Sequence, residues 1–304
     1  MINISQHNAM DSLTQLIDII NRHAPGDGTH ASAIPGLCLL RSAVPTMPMP
    51  VVYEPTFCVI AQGRKQVMLG NNIYVYDPAN YLLASVDLPV VGSVIEATPT
   101  EPYLSFSLAL DTTELADLAL RFPASENDRK ISATGMSLNP ITPNLLEVTT
   151  RLLGLLDAPA DIAALAPLFT REILYRLLTG PGNSVVRQMA HARSRLSQIS
   201  KAINWIKLHY TKPCRIEEMA DIAGMSRSTF HTHFKIITAM SPLEYRTQLR
   251  LQEARRLLVS EAMDSASAGF RVGYESPSQF SRDYARLFGA PPVKDTERLR
   301  AASC

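Results

Sequence analysis

One short pattern occurs twice in the last third of the chain, about fifty residues apart: GMSRSTFHTHFK from Gly224 and GYESPSQFSRDYARLF from Gly273. Each copy is a glycine-centred turn running into a helix with one apolar side. In the first, Gly224 permits a sharp turn and Ser226 can cap the helix that follows. Phe230, Phe234 and Ile237 then recur at i, i+4 and i+7 on an inner side, while Ser228, His231, Thr232 and Lys235 share the opposite edge. In the second, Ser276 and Gln279 spell an S-x-x-Q capping box, and Pro277 sits where a missing N–H costs nothing. Phe280, Tyr284, Leu287 and Phe288 point inward. Ser278, Ser281, Arg282 and Ala285 take the outer edge, with Gln279 and Arg286 beside it. A turn followed by a helix with a free polar edge is how a helix-turn-helix and its DNA-reading helix look in sequence. The alternative is a helix bundle with two solvated faces. Such a surface has no reason to repeat turn, inner stripe and outer edge together.

The surroundings agree with that reading. Leu196, Ile199, Ile203 and Ile206 follow one face of a preceding helix, and Ile216, Met219, Ala220 and Ala223 repeat the spacing, with Glu217 and Glu218 near the N-terminus of theirs. Between the two copies, Leu243 to Val259 reads as one helix about 25 Å long, a spacer for two probes on successive turns of duplex. Charge is segregated as well. Residues 187–304 hold 19 Lys+Arg against 11 Asp+Glu, a balance of +8, whereas residues 1–186 hold 10 against 17, a balance of −7. The basic half is the one suited to a nucleic-acid partner.

The other end has a different rhythm. From Gly36 to about Leu110, short apolar runs (FCVIAQ, QVML, IYVY, YLLAS, VGSVIEA, YLSFSLAL) alternate with turn clusters such as Gly63-Arg64-Lys65 and Asp77-Pro78-Ala79-Asn80. Strands at such spacing without intervening helices predict an antiparallel sandwich or barrel. Tyr103, Ser105, Ser107 and Ala109 alternate with Leu104, Phe106, Leu108 and Leu110, a pattern for a sheet with one buried face. Helices follow: one capped by Asp111 or Thr112 through about Phe122, one from about Asn144 to Leu156, one from Pro167 to Leu178. The apolar faces of the last two suit either core or a dimer seam. Gly180-Pro181-Gly182-Asn183-Ser184 stops the last helix and opens a linker, so the domains are read as 1–182, a linker at 183–195, and 196–304 with helix-turn-helix motifs at about 216–237 and 264–288.

Composition limits the remaining classes. No apolar run approaches the eighteen or so residues of a bilayer span, and the start MINISQHNAM lacks the shape of a secretory signal. The four cysteines (38, 58, 214 and 304) show no metal-site or redox spacing, as expected of free thiols in a reducing cytoplasm. After His7, His23 and His30 no histidine occurs until His191, so a barrel over 34–110 brings no imidazole for a metal. His231 and His233, two apart on a helix, form no metal pair. A cupin-type enzyme is therefore the weaker reading; no metal and no cofactor are expected.

Residues Leu196 to Arg298 resemble the DNA-binding domain of the AraC/XylS family of bacterial transcription regulators, above all in MSPLEYRTQLRLQEARRLL and VGYESPSQFSRDYARLFGAPP. The segment YEPTFCVIAQGRKQVMLGNNIYVYDPANYLLASVDLPV, within a match over about residues 34–150, resembles the AraC-type N-terminal domain. The resemblance implies an α+β protein of two domains: a cupin-like antiparallel β-barrel with helices after it, then an all-α domain with two helix-turn-helix motifs. It implies double-stranded DNA and RNA polymerase as partners, a homodimer, an unknown small-molecule effector and a cytoplasmic, membrane-free site of action, as activator or repressor. Two positions depart from the family pattern. Thr232 stands where Arg is frequent, and Gly269 stands where Ala is usual, at up to about 1 kcal/mol of helix propensity. Base reading is accordingly expected from Ser228, His231, Thr232, Ser278, Gln279, Ser281 and Arg282, with Arg282 foremost and His231 and Gln279 assisting. Arg227, Lys235 and Arg286 are expected on phosphates. Within the barrel, Tyr53, Cys58, Gln62, Lys65, Tyr74, Tyr76 and Tyr103 are the candidate effector ligands. Cys58, between Phe57 and Val59, is either a small buried residue or a thiol that senses electrophiles. An effector-free regulator, whose first half only dimerises or contacts a protein, is the rival to the effector reading.

Overall fold

The computed structural model describes residues 4–123 and 134–302. Between Gly28 and Pro140 the β-branched and aromatic runs form strands, separated where turn residues cluster. In chain order they are β1 (Gly28–Ala31), β2 (Leu37–Ser42), β3 (Met49–Tyr53), β4 (Thr56–Gln62), β5 (Arg64–Leu69), β6 (Asn72–Tyr76), β7 (Asn80–Ala84), β8 (Leu88–Glu96), β9 (Tyr103–Ala109) and β10 (Met136–Pro140). They pair antiparallel into a six-stranded sheet ordered β1-β2-β9-β4-β7-β10 and a four-stranded sheet ordered β3-β8-β5-β6. The chain passes from β4 in the first sheet to β5 in the second at Gly63, φ +82, where a Cβ would lie 2.5 Å from the Glu96 carbonyl oxygen.

Two expectations about the barrel need correction. β9 is buried on both faces, not one. Tyr103 and Ser105 look toward the second sheet, while Leu104, Phe106 and Leu108 are buried on the other side. The cover on that side includes a helix absent from the sequence reading, α1 (Ile4–His23), which packs on β2, β4 and β9 through Leu16, Ile19 and Ile20. The sheet also extends beyond 34–110, since β1 and β10 close its two edges. β1 brings His30 to an edge, but its Nε2 lies 2.8 Å from the Gly26 carbonyl oxygen and serves the turn.

After the barrel come α2 (Thr112–Arg121), α3 (Pro143–Gly154), α4 (Ile162–Thr179) and α5 (Ser184–Ala190). Asp111 caps α2, accepting from the Thr113 and Glu114 backbone N–H groups at 2.8 and 3.2 Å. The apolar face of α3 and Ile173, Leu174, Leu177 and Leu178 of α4 are buried in the core, whereas Leu168 of α4 is exposed. Residues 183–195 are not an extended linker. Val185, Val186 and Met189 of α5 are buried and the helix packs on α2, because three apolar residues in seven leave a short helix better buried than solvated.

The remaining helices are α6 (Arg195–His209), α7 (Ile216–Ala223), α8 (Arg227–Thr238), α9 (Pro242–Ser260), α10 (Ser265–Arg271), α11 (Pro277–Phe288) and α12 (Pro292–Ala302). One continuous apolar core runs from α1 through the sheets and α6–α8 to Leu249 on α9. A second, smaller core starts at Leu251 on the same helix and takes in Phe280 and Tyr284. Among the described residues no single helix is long and apolar enough to cross a membrane.

Candidate functional site

Each reading helix is placed by its turn and its cap. Gly224 adopts the left-handed conformation at φ +64 after α7, and Ser226 accepts from the Thr229 N–H to start α8. Phe230, Phe234 and Ile237 are buried, with the two phenylalanine rings edge-on at 5.4 Å. Ser228, His231, Thr232 and Lys235 all stand exposed on the far edge, as does Arg227. A groove of about 830 Å³ runs along this edge, lined by Ser228, His231, Thr232 and the α9 start at Ser241–Leu243. In the second unit Gly273 takes φ +91 and Ser276 accepts from the Gln279 N–H at 3.4 Å. The reciprocal half of the expected capping box is not formed there. The complete box belongs to α9, between Ser241 and Glu244. Ser278, Gln279, Arg282 and Arg286 are exposed, and Ser281 is half-buried.

Charge pairing separates these residues further. Arg227 meets Glu217 at 3.0 Å and Arg286 meets Asp283 at 3.5 Å, so each is partly neutralised within the protein. Arg282 takes part in none of the described ion pairs. Gly269 has a reason the sequence did not show: a Cβ there would lie 3.0 Å from the Phe280 ring, so the glycine lets α10 sit directly on α11.

The barrel residues divide in two. Strand register sets Lys65 opposite Tyr76 and Val94, Ser105 opposite Leu40 and Ile60, and Ser107 opposite Cys38 and Cys58. Tyr53, Cys58, Lys65, Tyr76 and Tyr103 thus meet inside the barrel. Burial raises the Tyr53 and Tyr76 hydroxyls, which also pair with each other, and pushes Tyr103 up to about 12 against the opposing charge of Lys65. Burial raises the Cys58 thiol as well, with Lys65 opposing, so Cys58 stays protonated and is a poor nucleophile. Gln62 is drawn elsewhere, since its side-chain amide donates to the Pro102 carbonyl at 2.8 Å and fixes the loop before β9. Tyr74 lies at the margin, half-buried opposite Val67. Cys38, Cys58 and Cys214 are unpaired, and Cys304 lies outside the described residues. Among the described residues no group of three or more His, Cys, Asp and Glu side chains is placed to hold a metal ion.

A third set of residues went unread in the sequence: those joining the barrel to the first helix-turn-helix unit. Lys207 on α6 reaches Asp87 at 2.8 Å and Glu54 at 3.4 Å, and the buried Tyr245 hydroxyl donates to the Asp87 carbonyl at 2.8 Å. The Gly135 N–H donates to the Ile237 carbonyl at 3.0 Å, and a Cβ on Gly70 would lie 2.7 Å from the Ala239 carbonyl oxygen. The C-terminal end of the reading helix α8 therefore rests backbone to backbone on two barrel loops. Partners more than 80 residues apart leave no local periodicity to read. Gly70 and Gly135, whose missing side chains admit the α8 end, were the available signals.

Comparison with known proteins places these parts in one lineage. A family profile described as the AraC-type transcriptional regulator N-terminus matches residues 33–185, half of the chain. The chain belongs to that family. A helix-turn-helix domain profile matches residues 219–298, covering both reading helices. Among curated relatives of this AraC-type chain, the RCS-specific transcriptional activator RclR of Escherichia coli is 36% identical over 85 residues, 28% of this chain and 30% of RclR. The transcriptional activator RhaS of Salmonella schwarzengrund is 26% identical over 153 residues, 50% of this chain and 54% of RhaS. The chain spans between about a third and a half of the length of these relatives. Fold similarity extends further. ToxT of Vibrio cholerae with a bound unsaturated fatty acid covers 84% of this chain and 94% of its own at a TM-score of 0.54 and 13% identity. ToxT bound to an aryl-butenoic acid matches at 0.56 and 11%, covering 86% and 98%. At such identity the likeness concerns the two-domain fold.

Proposed function

We propose that this AraC-type chain is a sequence-specific regulator of transcription that grips two successive major grooves of duplex DNA and answers to a small molecule held in its barrel. The carrying observation is the pair of capped helices, α8 and α11, each burying an aromatic stripe while presenting Ser, Thr, His, Gln and Arg outward. Arg282, exposed and in none of the described ion pairs, supplies the main bidentate contact to guanine. Ser228, His231, Thr232, Ser278, Gln279 and Ser281 read alongside it. Arg227, Lys235 and Arg286 take phosphates, the two arginines by exchanging carboxylate partners for phosphate oxygens. The five groups gathered in the barrel support the effector half of the reading. The action is cytoplasmic, at a promoter with RNA polymerase, and is activation, as the names of RclR and RhaS indicate for those relatives. No catalytic step is assigned.

Footprinting with purified protein on DNA upstream of its own coding region is expected to protect two patches one helical turn apart. Protection of one groove alone, or of no discrete sequence, would overturn the clamp. Arg282→Ala should then lose about 1–3 kcal/mol of base discrimination and Thr232→Ala clearly less; equal losses would remove Arg282 from its role.

A second reading, that the N-terminal half only dimerises, has one specific observation in its favour. Leu120 (84% exposed), Leu168 (60%) and the Phe122–Tyr175 ring pair leave apolar surface on α2 and α4. Thermal shift against a metabolite library separates the two, since a barrel that stabilises with no member is a pure interaction module.

A further inference from the structure

The barrel interior holds a cation that has no anion among the described ion pairs. Lys65 forms none of the described ion pairs, although its neighbour Arg64 takes Glu96 at 3.5 Å. Its ammonium lies 5.6 Å from the centre of the Tyr53 ring. Across the strands Gly92 supplies no side chain. A Cβ there would sit 3.4 Å from Lys65 Cε and 4.0 Å from both Lys65 Nζ and the Tyr53 hydroxyl, so the two polar tips converge on the backbone of Gly92. The third wall carries the decisive group. Tyr103 is fully buried, and its hydroxyl has no well-formed hydrogen bond among the described residues, with Ser105 of the same strand face as its polar neighbour. A buried hydroxyl without a partner is costly, because it has left water with nothing in exchange, and the half-buried Lys65 ammonium stands beside it.

We propose that Lys65, with the Tyr53, Tyr76 and Tyr103 hydroxyls around Gly92, forms a binding site for the carboxylate of a small organic monoacid with an apolar body. This rests on the effector reading above and names the class of ligand. One ammonium balances one negative charge, and phenol O–H groups donate to carboxylate oxygens without adding charge of their own. A phosphate dianion asks for more cations than are present. The apolar body follows from Val67 and Val90, buried and two places from Lys65 on β5 and from Gly92 on β8, hence on the same faces, and from buried Cys58 nearby. Lys65 and Tyr53 are only half-buried, which leaves the polar end open to solvent for entry.

The test uses the full chain and calorimetric titration with straight-chain carboxylates from acetate to decanoate plus benzoate, each beside its neutral amide, up to about 10 mM, ample for a millimolar site. At least one acid should bind, with its amide about tenfold weaker or worse. Lys65→Gln should lose about tenfold or more, and Tyr103→Phe a few-fold. Far-UV dichroism and unliganded melting establish that these variants fold. Should Lys65→Gln not fold, Gly92→Ala places a methyl group beside both polar tips at ordinary contact distance and should weaken the acid selectively. If an amide binds as well as its acid, or Lys65→Gln binds undiminished, the carboxylate site is wrong while the effector reading stands. If no acid binds, the carboxylate site is wrong as well, and the effector reading is then decided by the metabolite screen alone.

Discussion

The two helix-turn-helix units repeat one design but are held by different neighbours. The first is part of the large core. The α8 end rests on Gly70 and Gly135 of the barrel loops, and α6 and α9 are tied to Asp87 through Lys207 and Tyr245. The second closes on itself. Asp295 of α12 is buried and accepts from Arg255 Nε and Nη2 at 2.8 and 3.0 Å and from the Tyr284 hydroxyl at 2.9 Å. Its link to the rest of the molecule is α9 and the loop at 210–212, where Arg250 donates to the Tyr210 and Thr211 carbonyls at 2.6 and 3.0 Å. Among the described contacts, the barrel therefore meets the first head directly, and the second is joined to it through α9 and that loop. Duplication of a reading motif did not duplicate its supports.

Removing the support of one head sharpens the contrast. Asp295→Ala leaves a buried guanidinium and a buried phenol unpaired, and is expected to cost about 3–5 kcal/mol. Hydrogen exchange should show the loss in α11 and α12 while α8 keeps its protection; equal loss in both would mean that the two cores are one cooperative unit. The turn glycines come next. A Cβ on Gly273 would lie 2.1 Å from the Thr211 carbonyl oxygen and 2.7 Å from Arg250 Nη2, whereas one on Gly224 would meet only Gln198 Nε2 at 3.8 Å. Gly273→Ala should cost about 3 kcal/mol, combining backbone strain with displacement of the loop between heads. Gly224→Ala should cost the strain alone, about 1–2 kcal/mol. Equal effects on melting would deny the second turn its role as a joint.

The smallest effect concerns the first head. Burial alone would lower the Lys207 ammonium, but hydrogen bonding and charge from Asp87 and Glu54 outweigh it and leave a net raised value. A cation raised in the folded state gives stability that is complete below its unfolded pKa and lost as pH climbs through the folded one. The docking contribution should therefore be flat across neutral pH and fade only beyond about 10.5. The pair is partly exposed, so Lys207→Met should cost about 1 kcal/mol or less. Barrel and first head should separate more readily in limited proteolysis, with the melting of α11 unchanged.

What the sequence disclosed follows the range of the interaction. The Asp111 cap, the Phe230–Phe234–Ile237 stripe and the exposed edges of α8 and α11 are set within a turn or two of helix, and all were legible. Two errors came from reading a segment by its local composition. Gly180 to Ser184 looked like the start of a tether, yet Val185, Val186 and Met189 just beyond it found a groove on α2. β9 alternated cleanly, yet its small polar face was closed over by a second sheet brought from elsewhere in the chain. In the candidate site, Tyr53, Lys65, Tyr76 and Tyr103 could be named as polar strand residues. Their convergence, and the release of Gln62 to another task, depend on register across four strands. The Asp87–Lys207 and Asp295–Arg255 pairs join elements 120 and 40 residues apart, and nothing local marks one partner for the other.

The helix that carries residues of both cores has a mechanical consequence. With nineteen residues, α9 is a beam about 28 Å long, anchored at one end by Tyr245 and at the other by Leu257 and Leu258. A tilt of about 10° at the barrel end would swing the far end through about 5 Å, more than the ~3.4 Å between successive base pairs. A shift too slight to alter the near head's own contacts could then decide whether the far one falls in step with the groove.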